Sequence, residues 1–117
     1  NENCTFIRKW PQKYKFNIWS NILKSEGYNT SHFHPSGWLS GVFYLKIPSN
    51  IKKNEAGIEF SLHGENYPIK IKNIPTITIV PEVYDLVLFP SSLFHKTIPF
   101  KSSDERMMIA FDIHKLQ

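Results

Sequence analysis

The chain of 117 residues contains one cysteine, Cys4, so it can close no internal disulfide and offers no cysteine-based zinc site. That usage suits a reducing compartment, and the expected location is cytoplasmic. Arginine is nearly as scarce, with Arg8 and Arg106 standing against twelve lysines, and the lysines are scattered as Lys52, Lys53, Lys70, Lys72 and similar pairs. Nucleic-acid binders gather Arg and Lys on one face, so the net charge of +4 reads as solvated surface, with nucleic acid not expected as a partner. No apolar run approaches the roughly 18–20 residues of a membrane-spanning helix, and the longest, around Leu86 to Pro90, is only strand length. No membrane association is expected. The first residues, Asn1-Glu2-Asn3-Cys4, lack both a Met and a basic-then-apolar leader. The expectation is one domain over residues 1–117, cut from a longer chain.

Against these absences stand 41% hydrophobic residues and 15% aromatics, the latter high for a domain of this size. Residues 13–23 alternate, with Tyr14, Phe16, Ile18 and Ile22 on one side, and predict a strand, although Phe16, Trp19 and Leu23 also fit helical spacing. Residues 38–47 are dense in β-formers and stop at Pro48. Residues 56–62, 67–72 and 76–80 each alternate apolar and polar side chains. Residues 83–89 and 106–113 carry nearly continuous apolar runs of the kind found on strands buried on both faces. Short strands at intervals of about 8–12 residues, with few or no helices, predict an all-β sandwich or barrel. A jelly roll, with a ligand-bearing space between two sheets, is one such form. Trp19, Trp38 and Phe43 are expected in its core.

The five histidines differ in setting. His32 and His34 are two apart, and on a strand such residues project from one face, close enough for both imidazoles to reach one cation. A lone His-x-His pair is as readily an ordinary partly buried pair, so a third ligand is needed to give it weight. His95 follows the apolar segment 86–94 and could approach the pair from a neighbouring strand. His63, in a turn-like stretch 61–66, and His114, after the last apolar run, read as bland. Arg106 opens that run. Directed inward, a guanidinium needs an anion to offset its burial, and its two parallel donors suit a carboxylate. At the rim it would simply pair with Asp104 or Glu105.

The string His32-Phe33-His34-Pro35-Ser36-Gly37-Trp38-Leu39-Ser40-Gly41-Val42-Phe43-Tyr44-Leu45, then Phe89 to His95, then Arg106 to Asp112, resembles the 2-oxoglutarate- and iron(II)-dependent oxygenases. The branch concerned is related to the prolyl hydroxylases and often stands behind tetratricopeptide repeats. The resemblance runs from about Trp19 to Asp112. It implies a double-stranded β-helix of jelly-roll, cupin-like type, and a dioxygenase that uses Fe(II), 2-oxoglutarate and dioxygen to hydroxylate a peptide or small molecule. By the same resemblance His32 and His95 are the first and last metal ligands, Arg106 grips the distal carboxylate of 2-oxoglutarate, and Tyr44 hydrogen-bonds that carboxylate. Three protein ligands on one face leave the adjacent coordination positions that such chemistry needs.

Two positions depart from the family pattern. Where relatives carry a carboxylate ligand this chain has His34, so either His34 ligates, or water or a halide fills the place, or Asp112 or Glu59 arrives from elsewhere. The same-face argument favours His34. Three neutral imidazoles leave the iron more electropositive than two and a carboxylate would, and raise its reduction potential. Two residues after Arg106, where relatives carry Ser or Thr, stands Met108, which leaves Tyr44, Ser40 or Thr97 to supply the polar contact. Substrate selection would fall to loops 48–56 and 63–75. Two other readings compete: a cupin-like module holding zinc or nickel on three histidines without redox chemistry, and a recognition domain using the lysine excess.

Overall fold

The structure, a computed structural model, describes residues 3–64 and 66–116. One helical turn, α1 (Thr5–Arg8), precedes seven strands: β1 (Tyr14–Leu23), β2 (Gly37–Lys46), β3 (Ile58–Ser61), β4 (Thr76–Ile79), β5 (Leu86–Pro90), β6 (Phe94–Thr97) and β7 (Arg106–Lys115). They form a four-stranded sheet in the order β1-β7-β2-β5 and a three-stranded sheet in the order β4-β3-β6. All pairings are antiparallel. The expected all-β jelly roll is the fold.

Alternation builds the core. On β7 the residues Arg106, Met108, Ala110 and Asp112 are buried while Met107, Ile109 and Phe111 between them are only partly so, and register sets Ser40 opposite Asp112, Val42 opposite Ala110 and Tyr44 opposite Met108. These face the second sheet, whose Ile58 and Phe60 join Val42, Tyr44, Phe89, Met108 and Ala110 in one apolar cluster. Phe60 and Phe89 meet edge to face at 4.9 Å across the gap. Side chains of one face therefore supply both the packing and, further along the same strands, Ser40, Arg106 and Asp112.

Three expectations are corrected. Residues 67–72 form no strand: Pro68 has no N–H to give to a ladder, and Ile69 and Ile71 are 49% and 72% exposed, so their alternation reflects no buried face. The additional strand is β6, which holds His95 within it rather than beyond a strand end. The apolar run of β5 is not buried on both sides. It is an edge strand whose Val87 and Phe89 turn inward, leaving Leu86 and Leu88 each 52% exposed. On β1 the apolar side, Phe16, Ile18 and Ile22, lies on the outer face of the sheet and is more than half exposed. On that outer face Phe111 lies directly over Gly41, where a Cβ would collide with its ring.

Candidate active site

Residues 29–34 run antiparallel to β6. The Thr97 N–H donates to the Asn29 carbonyl at 3.1 Å, His32 and His95 exchange both backbone bonds at 3.1 and 2.9 Å, and the His34 N–H donates to the Ser91 carbonyl at 2.8 Å. The segment is no regular strand, but this pairing seats His32 against His95 and turns His34 beside them. Ring centroids are 4.3 Å apart for His32 and His95, 5.1 Å for His34 and His95, and 5.3 Å for His32 and His34. The three rings each bring one ligand nitrogen within 4.8 Å of the others.

Their protons are arranged alike. His32 Nδ1 donates to the Thr30 carbonyl at 2.6 Å, His95 Nδ1 to the Leu93 carbonyl at 3.0 Å, and His34 Nδ1 to the Asp112 carboxylate, 2.7 Å from each oxygen. Each bond fixes the tautomer with Nδ1 protonated, leaving an Nε2 lone pair on every ring. Burial pushes the His95 imidazole down to about 4, reinforced by the neighbouring rings of His32 and His34 and opposed by the Leu93 carbonyl. It is neutral at physiological pH, the form that binds a metal.

Arg106 lies inside, 1% exposed. Its Nη2 donates to Tyr44 Oη at 3.3 Å, its Nη1 to Met108 Sδ at 3.3 Å, and its Cζ sits 5.0 Å from the Tyr44 ring centroid. Its buried Nε has no partner, and no carboxylate pairs with the guanidinium among the described residues. Asp104, the rim partner considered from sequence, instead accepts from Ser49 and pairs with Lys46. Burial lowers the Arg106 pKa and raises that of Tyr44, each moderated by the other group. A cation buried with only a phenol and a thioether for company has an open demand for an anion.

The three histidines and Arg106 line one cavity between the sheets, together with Tyr44, Ser40 and Thr97. Ser40 Oγ donates to Asp112 at 2.6 Å and shares a 2.8 Å bond with Ser91 Oγ. Glu59 lies outside the histidine cluster and is paired with Lys96 at 3.2 Å. His63 donates from Nε2 to the Tyr67 carbonyl, and Glu65, in the turn expected there, falls outside the described residues. His114 is buried, bonded to the Ser36 carbonyl and to Asn17. Trp19, expected in the core, is instead 39% exposed and lines the cavity with Asn21, its ring 5.8 Å from His34. The signal for it lay in β1's polar side, where Lys15, Asn17, Trp19 and Asn21 alternate with the outward Phe16 and Ile18. Trp38 stacks on Phe6 at 5.3 Å and Phe43 on Tyr84 at 6.3 Å, both partly exposed rather than in the core.

Fold and cavity define a class: a jelly-roll protein with three imidazoles close enough to hold a metal ion and a buried guanidinium on the same cavity. The particular family follows from comparison. Residues 17–112 match the family described as "Putative 2OG-Fe(II) oxygenase", and the chain belongs to it. An oxidoreductase of the 2OG-Fe(II) oxygenase family from Burkholderia pseudomallei superposes with a TM-score of 0.67 at 12% identity, over 90% of this chain and 45% of its own. A prolyl-4-hydroxylase from Pseudomonas putida gives 0.62 at 15% identity, over 86% of this chain and 53% of its own. The chain thus spans about half the length of these solved structures. No curated protein matches the sequence.

Proposed function

We propose that the chain houses the catalytic centre of a 2-oxoglutarate- and iron(II)-dependent dioxygenase that hydroxylates a peptide or small molecule. His32, His34 and His95 would hold iron(II), and Arg106 with Tyr44 would hold the distal carboxylate of 2-oxoglutarate, with Ser40 and Thr97 on the same cavity wall. When bound, the metal and keto acid supply dioxygen activation, with succinate and carbon dioxide as co-products. The chain's own residues do the rest. With Nδ1 engaged as a donor, each imidazole keeps its Nε2 lone pair for a metal. Arg106, fixed against the Tyr44 ring, meets a carboxylate with an orientation already set. Among substrates, similarity to a prolyl-4-hydroxylase supports a prolyl side chain in a peptide, and half-exposed Trp19 beside His34 offers an apolar surface for such a ring.

The observation that carries this reading is the unpaired buried guanidinium on the cavity that the three histidines share. A metal-binding module without redox chemistry has no use for an internal anion receptor. The test is anaerobic titration with iron(II) and 2-oxoglutarate, watched for a visible charge-transfer band, followed by aerobic succinate assay. The wild-type chain should give both signals, and Arg106→Ala should bind 2-oxoglutarate about 100-fold more weakly. Succinate release by Arg106→Ala at the wild-type rate would end the assignment.

A further inference from the structure

Asp112 does not stand among the metal-binding nitrogens, yet its environment is arranged around one task. It is 6% exposed, and both of its oxygens lie 2.7 Å from His34 Nδ1. Its Oδ1 accepts from Ser40 Oγ at 2.6 Å, and because that proton is then committed, Ser91 must donate to Ser40 across their 2.8 Å contact. His114 comes within 3.8 Å through Nε2, but that nitrogen accepts from Asn17 at 3.1 Å while Nδ1 donates to the Ser36 carbonyl. With Nδ1 as its donor and Nε2 as an acceptor, His114 offers Asp112 no proton. Among the described residues no Lys or Arg pairs with it. The carboxylate charge is held in place by two serines and delivered to the back of a single imidazole. Of the three rings in the cluster, only His34 has an anion behind it; His32 and His95 have backbone carbonyls.

We infer that Asp112 is a positioning residue that makes His34 stand in for the carboxylate ligand this chain lacks. Polarised through Nδ1–H, the His34 ring becomes a stronger and more anionic donor at Nε2, so negative charge enters the metal's surroundings one ring away instead of by direct ligation. Register explains why it acts from behind: Asp112 on β7 lies opposite Ser40 on β2 and Asn17 on β1, fixed to the floor of the central strands, while His34 leans over it from the segment bonded to β6 and to Ser91. The inference rests on the three-histidine metal assignment above.

Cobalt(II) is the probe. In equilibrium titrations Asp112→Asn should bind it 10–100-fold more weakly than wild type, with a changed visible spectrum, and the iron-loaded variant should show a more positive Fe(III)/Fe(II) potential, because less negative charge then stabilises the ferric ion. A merely structural role would not move the potential. Should Asp112→Asn fail to fold, Ser40→Ala, which releases one arm of the carboxylate, should show the same changes in smaller measure. Affinity, spectrum and potential all unchanged in folded Asp112→Asn, or in Ser40→Ala if that is the variant that folds, would overturn the inference while leaving the metal site standing. Wild-type protein that binds no cobalt would overturn it together with that site.

Discussion

At the residue scale, Arg106 is held in the fold at a cost. Its guanidinium is 1% exposed and meets only a phenol oxygen and a thioether, both at 3.3 Å, so little offsets the loss of hydration. Methionine has comparable reach, no charge, and apolar neighbours already in place in Met108 and the Tyr44 ring. Arg106→Met should therefore raise the unfolding free energy of the ligand-free protein, by about 1 kcal/mol after the lost Tyr44 bond is deducted. A chemical denaturation midpoint measures this. In the same variant, 2-oxoglutarate should give none of the further stabilisation it gives wild type. A residue whose removal stabilises the fold and abolishes ligand response is kept for binding; equal or lower stability would mean the cation is better accommodated than its contacts indicate.

At the element scale, the β1–β7–β2–β5 sheet meets the site at Gly37, the first residue of β2. A Cβ there would stand 2.5 Å from Ser91 Oγ and 2.7 Å from Ser91 Cβ. Ser91 also anchors the His34 N–H through its carbonyl and orients Ser40 through its hydroxyl. Gly37→Ala should push the Ser91 turn aside, costing about 1–3 kcal/mol of stability and weakening cobalt binding although no proposed ligand is replaced. Denaturation and titration of the same sample check both halves. The strands as such were legible: residues 14–23, 37–46 and 106–115 lie within a residue or two of where alternation and β-propensity put them. Facing was not. In β1 the apolar side points away from the second sheet because the inward side lines the cavity with Trp19 and Asn21, and periodicity reports that sides differ without saying which is inside. Strand β6, Phe94–Thr97, was hidden because Phe-His-Lys-Thr is too short to show a period, and its existence depends on pairing with β3 and with the 29–34 segment. That Arg106 would face inward, and that His95 would meet a pair more than sixty residues earlier, followed from motif order; the Asp112–His34 contact, 78 residues apart in sequence, needed coordinates.

At the scale of the whole molecule, the site bridges the two sheets. His95 belongs to β6 of the three-stranded sheet, and His32 is bonded to it through the backbone. His34 is fixed instead to the four-stranded sheet, through Asp112 on β7 and through the Ser91 carbonyl just beyond β5. An ion held by all three rings joins layers that otherwise meet through apolar contacts and leave a cavity between them. Ligands that bind only the folded state stabilise it by mass action, so cobalt(II) at a hundred times its Kd should add about 2.7 kcal/mol to the unfolding free energy. For a domain of this size that is roughly a 10 °C rise in Tm. His32→Ala should lose most of the rise. Beyond this, 2-oxoglutarate should add a second increment only when metal is present and Arg106 intact, since two anchors at separate points of one cavity reinforce each other only if a single molecule spans them. Calorimetry on wild type, His32→Ala and Arg106→Ala, each with cobalt, with 2-oxoglutarate and with both, measures these couplings directly. Independent increments, equal with and without metal, would mean that the guanidinium and the histidines serve different ligands.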